Sequence, residues 1–323
     1  MRVTSKPVKS AASSRSETAD LITARDILLL AAIPVLLFIA WLVPERHWSG
    51  VAGAIARAVS PPLRLLRPAA FDRMQHATTE NMAMQPAIDT YIRWFAGRLE
   101  QELQYLREYR PGGWKPKLTI VGREHLDRAV AGDRGGILWV APMLSSGLVV
   151  KKALHEAGFQ FSHLSREYHG PSDTRFGRSF INRIVMNCEN RYLAQRFLLQ
   201  SGRESRALRQ LVRALRDQQL VSITCSYYGR KIVAAPLLGG TLPIAIGAAN
   251  LAITTGAPLL PVFAIRKSWR EFEIIVAKSM QLHTLGSQAE VISQVVCRYA
   301  MLVEQYANRD PGAFADWPCL DFS

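Results

Sequence analysis

Cysteine is scarce in this chain of 323 residues, and its four cysteines lie far from one another. No two of them form a C-x-x-C pair, which argues against a zinc site and against a disulfide framework. Separated cysteines fit a reducing compartment, where most serve as small packing residues. They are Cys188, Cys225, Cys297 and Cys319.

Acidic residues are also in short supply, with 26 Asp and Glu against 40 Lys and Arg. The formal net charge of +14 favours an anionic partner, which could be a nucleic acid, an anionic lipid surface or an acidic protein. A basic surface that only keeps the chain soluble is the alternative. The sequence has no zinc pattern, no obvious recognition helix and no interleaved aromatic and basic motif, so no nucleic-acid partner is expected.

Charge is absent from the seventeen residues Ile27 to Val43, which follow a Ser-, Ala- and Lys/Arg-rich tail over residues 1–25. We expect the tail to be disordered and residues 26–44 to form a single-pass membrane anchor. Pro34 inside the run is tolerated better in a lipid-embedded helix than in a soluble one. A cleaved signal peptide and a buried soluble helix are the alternatives, and basic residues on both flanks leave the orientation open.

Residues 45–115 read as a membrane-proximal helical segment, and residues 116–318 as an α/β domain. Apolar spacing predicts a helix from Asp89 to Tyr109 and another from Ser205 to Arg216. The alternation of helical and strand-like pieces predicts the α/β fold class, with a central, mostly parallel sheet flanked by helices. The predicted strands are Leu118–Val121, Ile137–Ala141, Leu220–Thr224, Leu259–Ile265 and Phe272–Ala277.

Two blocks of the sequence resemble one family. Residues 121–142 contain Gly122-Arg123-Glu124-His125-Leu126 and then Asp133-Arg134-Gly135 before a buried apolar strand. Residues 235–266 contain Pro236-Leu237-Leu238-Gly239, a small-residue helix, and then Thr255-Gly256-Ala257-Pro258. In this order and spacing they resemble the bacterial lipid A late acyltransferases, the lauroyl- and myristoyl-transferring branch of the lysophospholipid acyltransferase superfamily. The resemblance extends over residues 27–318.

The resemblance implies a substrate pair and a location. The donor would be a fatty acyl thioester, commonly on acyl carrier protein, and the acceptor a hydroxyl of a membrane lipid or glycolipid. Both acyl carrier protein and lipid phosphates are acidic, which agrees with the basic composition. The expected location is the bacterial inner membrane, with the α/β domain on the cytoplasmic side. No cofactor or metal is implied.

The family's catalytic pair is missing from this chain. The family has a histidine as general base and, after four further residues, an Asp or Glu that orients it. A histidine suits the role of base because the pKa of its imidazole lies near the working pH. These two positions hold Pro142 and Gly147, and none of the seven histidines in the chain has an acidic residue at that spacing. The position of a further family Asp holds Cys225. The sequence therefore predicts slow or undetectable transfer by the family's route.

Several polar residues remain as candidates for the site. Ser145, Ser146 and Cys225 could act as nucleophiles, and His163 or His169 as a replacement base with Glu167 or Asp173 as its partner. The favoured alternative is that the two histidines are residues of a surface loop, and nothing in the sequence marks Cys225 as activated. Arg166 falls at the position of a substrate-contacting arginine in the family. Arg230 could face an anionic substrate, and Gly239 lies in the family's turn. Met143, Leu237 and Leu238 would line an apolar groove for the acyl chain.

Two hypotheses about function follow. The first is a membrane-associated acyltransferase with altered catalytic groups. The second is a non-catalytic relative that binds an acyl lipid or a partner protein. The retained turns support the fold under both hypotheses, and the missing pair favours the second.

Overall fold

A computed structural model describes residues 20–65, 69–80, 86–167, 169–200, 202, 204–226, 229, 231–282 and 286–322. The predicted disordered tail lies outside these residues up to residue 19. The helices are α1 (Ala24–Leu42), α2 (Trp48–Leu65), α3 (Ala69–Glu80), α4 (Ala87–Arg107), α5 (Arg123–Ala131), α6 (Ser146–Glu156), α7 (Arg175–Ser179), α8 (Ile181–Asn190), α9 (Glu204–Arg216), α10 (Gly247–Thr255) and α11 (Gln288–Arg309). The strands are β1 (Lys117–Val121), β2 (Gly136–Val140), β3 (Phe161–Arg166), β4 (Gln195–Leu199), β5 (Leu220–Thr224), β6 (Ile232–Leu237), β7 (Gly240–Ala245), β8 (Leu259–Arg266) and β9 (Glu271–Val276).

Seven of these strands form one sheet, in the order β1-β9-β8-β2-β5-β3-β4. Every neighbouring pair is parallel except β8 and β9, which are antiparallel. The predicted fold class, a mostly parallel sheet with helices around it, is therefore confirmed. The carboxyl ends of β2, β5 and β3 meet at one edge of this sheet, which we call the carboxyl edge. Ligands of open α/β sheets bind outside this edge.

Strand β2 is the centre of the sheet, and its five residues are buried. Its apolar side chains pack into two hydrophobic clusters, one containing Ile137 and Trp139 and the other Leu138 and Val140. The Trp139 ring stacks on the Tyr299 ring of α11 with 3.7 Å between centroids. Because successive residues of a strand point to opposite faces, an unbroken apolar run is what a strand covered on both faces requires.

Helix α1 carries an apolar face that the described protein leaves exposed. Thr23 and Asp26 form a capping box at its first turn, and Pro34 lies inside it. Its exposed large side chains are Ile27, Leu28, Leu30, Val35, Phe38 and Leu42. Length and hydropathy make α1 a candidate membrane span, with 11% of its most apolar window buried.

Both ends of α1 are attached to the rest of the chain. Near its first turn, the Ser172 hydroxyl donates a hydrogen bond to the buried Asp26 carboxylate, at 2.5 Å. Near its last turn, the Trp41 indole N–H donates to the Leu106 carbonyl of α4 at 3.1 Å, and Arg107 donates to the Ala40 carbonyl at 2.6 Å. The helix therefore contacts both the segment after β3 and the end of α4.

Candidate functional site

The segment that follows β2 contains Pro142 and Gly147, the two positions at which the resemblance predicts the family's catalytic pair. Pro142 is buried, and its carbonyl accepts a hydrogen bond of 2.8 Å from the Ala315 amide. Met143 forms an isolated antiparallel bridge with Phe314, and the Leu144 amide donates to the Ala313 carbonyl at 2.8 Å. The C-terminal segment around residue 314 therefore covers position 142.

Gly147 lies in the first turn of α6, where little room is left for a side chain. A Cβ atom built on Gly147 would lie 2.7 Å from the Tyr105 hydroxyl and 3.2 Å from Oε1 of Glu189. The first distance is shorter than real Cβ atoms show. The space beside position 147 is thus occupied by the hydroxyl of Tyr105 and the carboxylate of Glu189.

The two serines of this segment are both buried. The Ser145 amide donates a hydrogen bond of 2.8 Å to the side-chain carbonyl of Gln101, and Ser145 adopts a left-handed backbone conformation with φ of 67°. The buried Ser146 hydroxyl has no hydrogen-bond partner among the residues that the structure describes. Within those residues, no hydrogen bond joins either hydroxyl to a base, which an activated serine needs.

Cys225 follows β5 and is also buried. Its amide donates to the Val140 carbonyl at 2.8 Å, which places it beside the end of β2. Burial, with a smaller effect from the charge of Asp316, raises the pKa of the Cys225 thiol well above its ordinary value. A thiol with a raised pKa forms little thiolate at neutral pH, and the thiolate is the nucleophile.

His163 lies inside β3 rather than on a loop. Its ring is buried, and Nδ1 is 3.2 Å from the Ser222 hydroxyl of β5. Burial, followed by the charge of Lys151, lowers the pKa of His163 well below its ordinary value. The ring is therefore a neutral hydrogen-bonding group between two strands, without access to a substrate.

The remaining predicted site residues are dispersed. Arg166 is half-buried at the carboxyl end of β3, and Arg230 lies outside the described residues. Leu238 and Gly239 form the two-residue turn between β6 and β7, with φ of 53° and 80°. Both angles lie in the left-handed region, as in the tight turns that favour glycine. Met143, Leu237 and Leu238 are at most 4% exposed and belong to the hydrophobic core, so in this structure they line no open groove.

Charged and polar side chains surround the buried Glu189 carboxylate, near the end of α8. We call Tyr105, Lys151, His169, Glu189 and Arg196 the Glu189 cluster. The Glu189 carboxylate accepts hydrogen bonds of 2.8 Å from both the Tyr105 hydroxyl and the Arg196 guanidinium. The Lys151 ammonium lies 3.2 Å from it. His169 Nε2 is 3.3 Å from one carboxylate oxygen and 3.2 Å from the other.

The charges of this cluster keep Glu189 ionised. Burial alone raises the pKa of the Glu189 carboxyl, but Lys151, His169 and Arg196 act in the opposite direction and hold it well below its ordinary value. Burial lowers the pKa of Lys151, and the Glu189 charge partly restores it. Cluster members come from α4, α6, α8, β4 and the segment after β3, so the carboxylate links five parts of the chain.

A second titratable group lies at the carboxyl edge, beside position 142. Asp316 directly follows Ala315, whose amide binds the Pro142 carbonyl. Burial raises the pKa of Asp316 to about 7, although the positive charges of Arg98 and Arg166 lower it. Asp316 therefore changes its charge near neutral pH.

Sequence reasoning missed the partner of His169. The candidates were Glu167 and Asp173, but the carboxylate that the ring contacts is Glu189. A signal was present in α8, where Glu189 falls on the same helical face as the apolar residues Ile181, Val185 and Cys188. A charged residue on the apolar face of a helix is buried with partners. No comparable sequence signal marks Asp316.

One family model matches part of the chain. Residues 178–315 match the family model described as bacterial lipid A biosynthesis acyltransferase. Among solved structures, the 1-acyl-sn-glycerophosphate (LPA) acyltransferase PlsC from Thermotoga maritima superposes with a TM-score of 0.37 and 12% sequence identity, over 81% of this chain and 98% of that one. No curated protein matches the chain.

The predicted resemblance to the lipid A acyltransferases is thus confirmed, with the family match over residues 178–315. That family of acyltransferases in general implies an acyl donor and a lipid acceptor. The matched segment includes Glu189, Cys225 and Asp310–Ala315. Positions 142 and 147, where the resemblance places the family's pair, precede it.

Proposed function

We propose that this protein is a membrane-associated acyltransferase that transfers a fatty acyl group from an acyl thioester to a hydroxyl of a membrane lipid, without the family's histidine at position 142. The observation that carries this proposal is the position of Glu189. Its ionised carboxylate lies beside Gly147, 3.2 Å from where a Cβ atom would be. A carboxylate is thus kept next to the place of the family's acid, although it comes from another helix.

The exposed surface of the chain supports membrane association. The apolar face of α1 has no covering within the described protein, and surfaces of this kind mark protein or membrane contacts. Near the end of α1, an open cleft of about 460 Å³ is lined by Arg107, Arg110, Lys115, Trp269 and Arg270 among others. Basic residues with an exposed tryptophan suit an anionic membrane surface.

The proposed partners follow from charge and family. The donor is a fatty acyl thioester, which acyl carrier protein would present, and the acceptor is a membrane lipid or glycolipid. A chain with net charge +14 attracts both an acidic carrier protein and lipid phosphates. We place the protein at the bacterial inner membrane, with the α/β domain on the cytoplasmic side, where acyl carrier protein is found.

A non-catalytic acyl-lipid-binding protein is the second candidate function. The observation in its favour is the covering of position 142, where Ala313, Phe314 and Ala315 contact residues 142–144. In such a protein the former catalytic position would be sealed, and the lipid would be bound without being modified. In the other version of this second candidate, the same fold binds a partner protein instead of an acyl lipid.

One experiment separates the two candidates. The full chain, purified in detergent and placed in vesicles that contain a bacterial glycolipid with free hydroxyls, is incubated with acyl carrier protein that bears a radiolabelled acyl chain. We expect label to appear in the glycolipid fraction, and mass spectrometry to show one added acyl group. Acyl lipid that copurifies with the protein, without any transfer of label, would favour the second candidate.

A further inference from the structure

His169 and Glu189 form a histidine–carboxylate pair at the carboxyl edge, which their spacing in the sequence does not predict. His169 lies three residues after the end of β3, and Glu189 lies in the last turn of α8. Twenty positions separate them, yet Nε2 of the ring is within 3.3 Å of both carboxylate oxygens. The carboxylate is fully buried, whereas the histidine side chain is 33% exposed.

The surroundings of Glu189 fix which nitrogen of the ring carries a proton. An ionised carboxylate only accepts hydrogen bonds, so in the neutral form of the His169 ring the proton lies on Nε2, which donates to Glu189. Nδ1 then carries the lone pair. Tyr105 and Arg196 each donate a hydrogen bond of 2.8 Å to the Glu189 carboxylate. These bonds fix the position of the carboxylate oxygens, and the oxygens in turn orient the His169 ring. This is how a buried carboxylate selects the tautomer of a catalytic histidine.

We propose that His169 is the general base of the proposed acyl transfer and that Glu189 is the residue that positions it. This inference rests on the proposed function. Glu189 lies beside Gly147, so the carboxylate of the family's pair is replaced nearly in place. The base has moved from the end of β2, where Pro142 stands, to the segment that follows β3. In this proposal the catalytic pair has moved from positions 142 and 147 to His169 and Glu189, at the same edge of the sheet.

The reaction balances with this one base. The acceptor hydroxyl attacks the carbonyl carbon of the acyl thioester, and Nδ1 of His169 takes the hydroxyl proton as the new C–O bond forms. The tetrahedral intermediate collapses, the C–S bond breaks, and the imidazolium returns the proton to the leaving thiolate. The products are a lipid ester and a free thiol. The Glu189 carboxylate stays ionised throughout and stabilises the imidazolium.

Other groups at the carboxyl edge are less suited to this role. His163 is buried inside the sheet, 2% exposed and out of reach of a substrate, and its lowered pKa makes the ring a weak proton acceptor. Asp316 is half-buried and titrates near 7, but its charged neighbours are Arg98 and Arg166, which act against proton uptake. The variant Asp316→Asn therefore tests this second group separately.

The test compares single variants of the full chain in the vesicle assay of acyl transfer. For His169→Ala and His169→Gln we expect transfer to fall by a factor of about 100 or more, the usual contribution of a general base. Copurifying acyl lipid and the thermal midpoint should stay near the wild-type values, and added imidazole should partly restore His169→Ala. The matched control is His125→Ala, since His125 also has a glutamate neighbour, Glu124 at 3.7 Å, but lies after β1.

A second measurement does not depend on activity. In nitrogen-15 NMR spectra of histidine-labelled protein, the His169 ring should be the Nε2–H tautomer, and Glu189→Gln, where it folds, should change that signal. Transfer by the wild type that is unaffected in His169→Ala would overturn the base assignment, and loss in Asp316→Asn instead would reassign it. A wild type that transfers nothing would contradict the proposed function itself and this inference with it.

Discussion

At the scale of single residues, Pro142 and Gly147 show what the sequence spacing could predict about the site and what it could not. The sequence alone showed that no histidine has an acidic residue at the family's spacing. It could not show that Tyr105 and Glu189 fill the space beside position 147, because they reach it from α4 and α8. A contact between residues distant in the chain depends on how helices pack, and no local spacing encodes that.

Restoring the family's pair is expected to fail. In Pro142→His with Gly147→Glu, the new glutamate would collide with the Tyr105 hydroxyl and place a second carboxylate beside Glu189. We expect no rise in acyl transfer, and a loss of about 1 to 3 kcal/mol in the free energy of unfolding from overpacking. Transfer assays and denaturant unfolding measure both quantities. A clear gain of transfer over Pro142→His alone would contradict the packing described for Gly147.

Asp316 should make stability depend on pH. Its pKa is about 7 in the folded chain, against 3.8 for an ordinary aspartate. The folded state therefore binds the proton more tightly than the unfolded state, and the free energy of unfolding should fall as the pH rises from about 4 to about 7. Denaturant unfolding across this range should show that decline in the wild type. Asp316→Asn should flatten it, and an unchanged slope in this variant would place the titration elsewhere.

At the scale of elements, the sequence predicted the apolar strands better than the polar ones. Strands β2, β5, β8, β1 and β9 lie close to the predicted bounds. Unbroken apolar runs mark β2 and β8, which are covered on both faces, whereas β1 and β9 show alternating burial. Strand β3 was missed, since Ser162, His163 and Ser165 are polar residues buried within it. The hairpin of β6 and β7 was read as a turn leading into a helix, because its proline and small residues lack a strand's alternation.

Helix α8 has one buried carboxylate, that of Glu189, beside its buried apolar residues. Glu189→Gln would leave Lys151 and Arg196 buried without a full counter-charge. Breaking a buried ion pair from one side costs about 3 to 5 kcal/mol, and we expect a loss of that size in the free energy of unfolding. The control is Glu156→Gln, which removes an exposed carboxylate 3.4 Å from Lys152 and should cost about 1 kcal/mol or less. Equal effects of the two changes would contradict the assigned burial.

At the scale of the whole molecule, the proposed membrane association would use both the basic surface and the exposed face of α1. Charge brings a protein to an anionic bilayer over about one Debye length, whereas apolar side chains hold it there at any salt concentration. Full-length protein should therefore stay with membranes after a high-salt wash. The composition predicted both the basic charge and the apolar segment. Only the contacts of α1 with α4 and Ser172 show which face of the helix is exposed.

Substitutions on that face should release the protein from membranes. Val35 and Phe38 are 59% and 61% exposed, and Val35→Glu with Phe38→Glu should weaken binding to anionic vesicles by roughly tenfold or more, because each buried apolar side chain contributes about 1.5 to 3 kcal/mol. Vesicle flotation at low and high salt measures this. Met301→Glu is the matched control, since Met301 is 67% exposed on α11. Similar losses in both variants would mean that α1 is not the contact.

The attachment of both ends of α1 has a consequence for depth. A helix of 19 residues is about 28 Å long, enough to cross the hydrocarbon core of a bilayer only if it stands upright and free. In the described structure Asp26 is bonded to Ser172 and Ala40 to Arg107, and if these bonds persist at the bilayer, α1 would stay against the domain and not form the predicted single-pass span. It would instead lie sideways, sunk about 5 to 10 Å into one leaflet. The protein would then be monotopic, and the lipids it reaches would be those of the leaflet on which it rests.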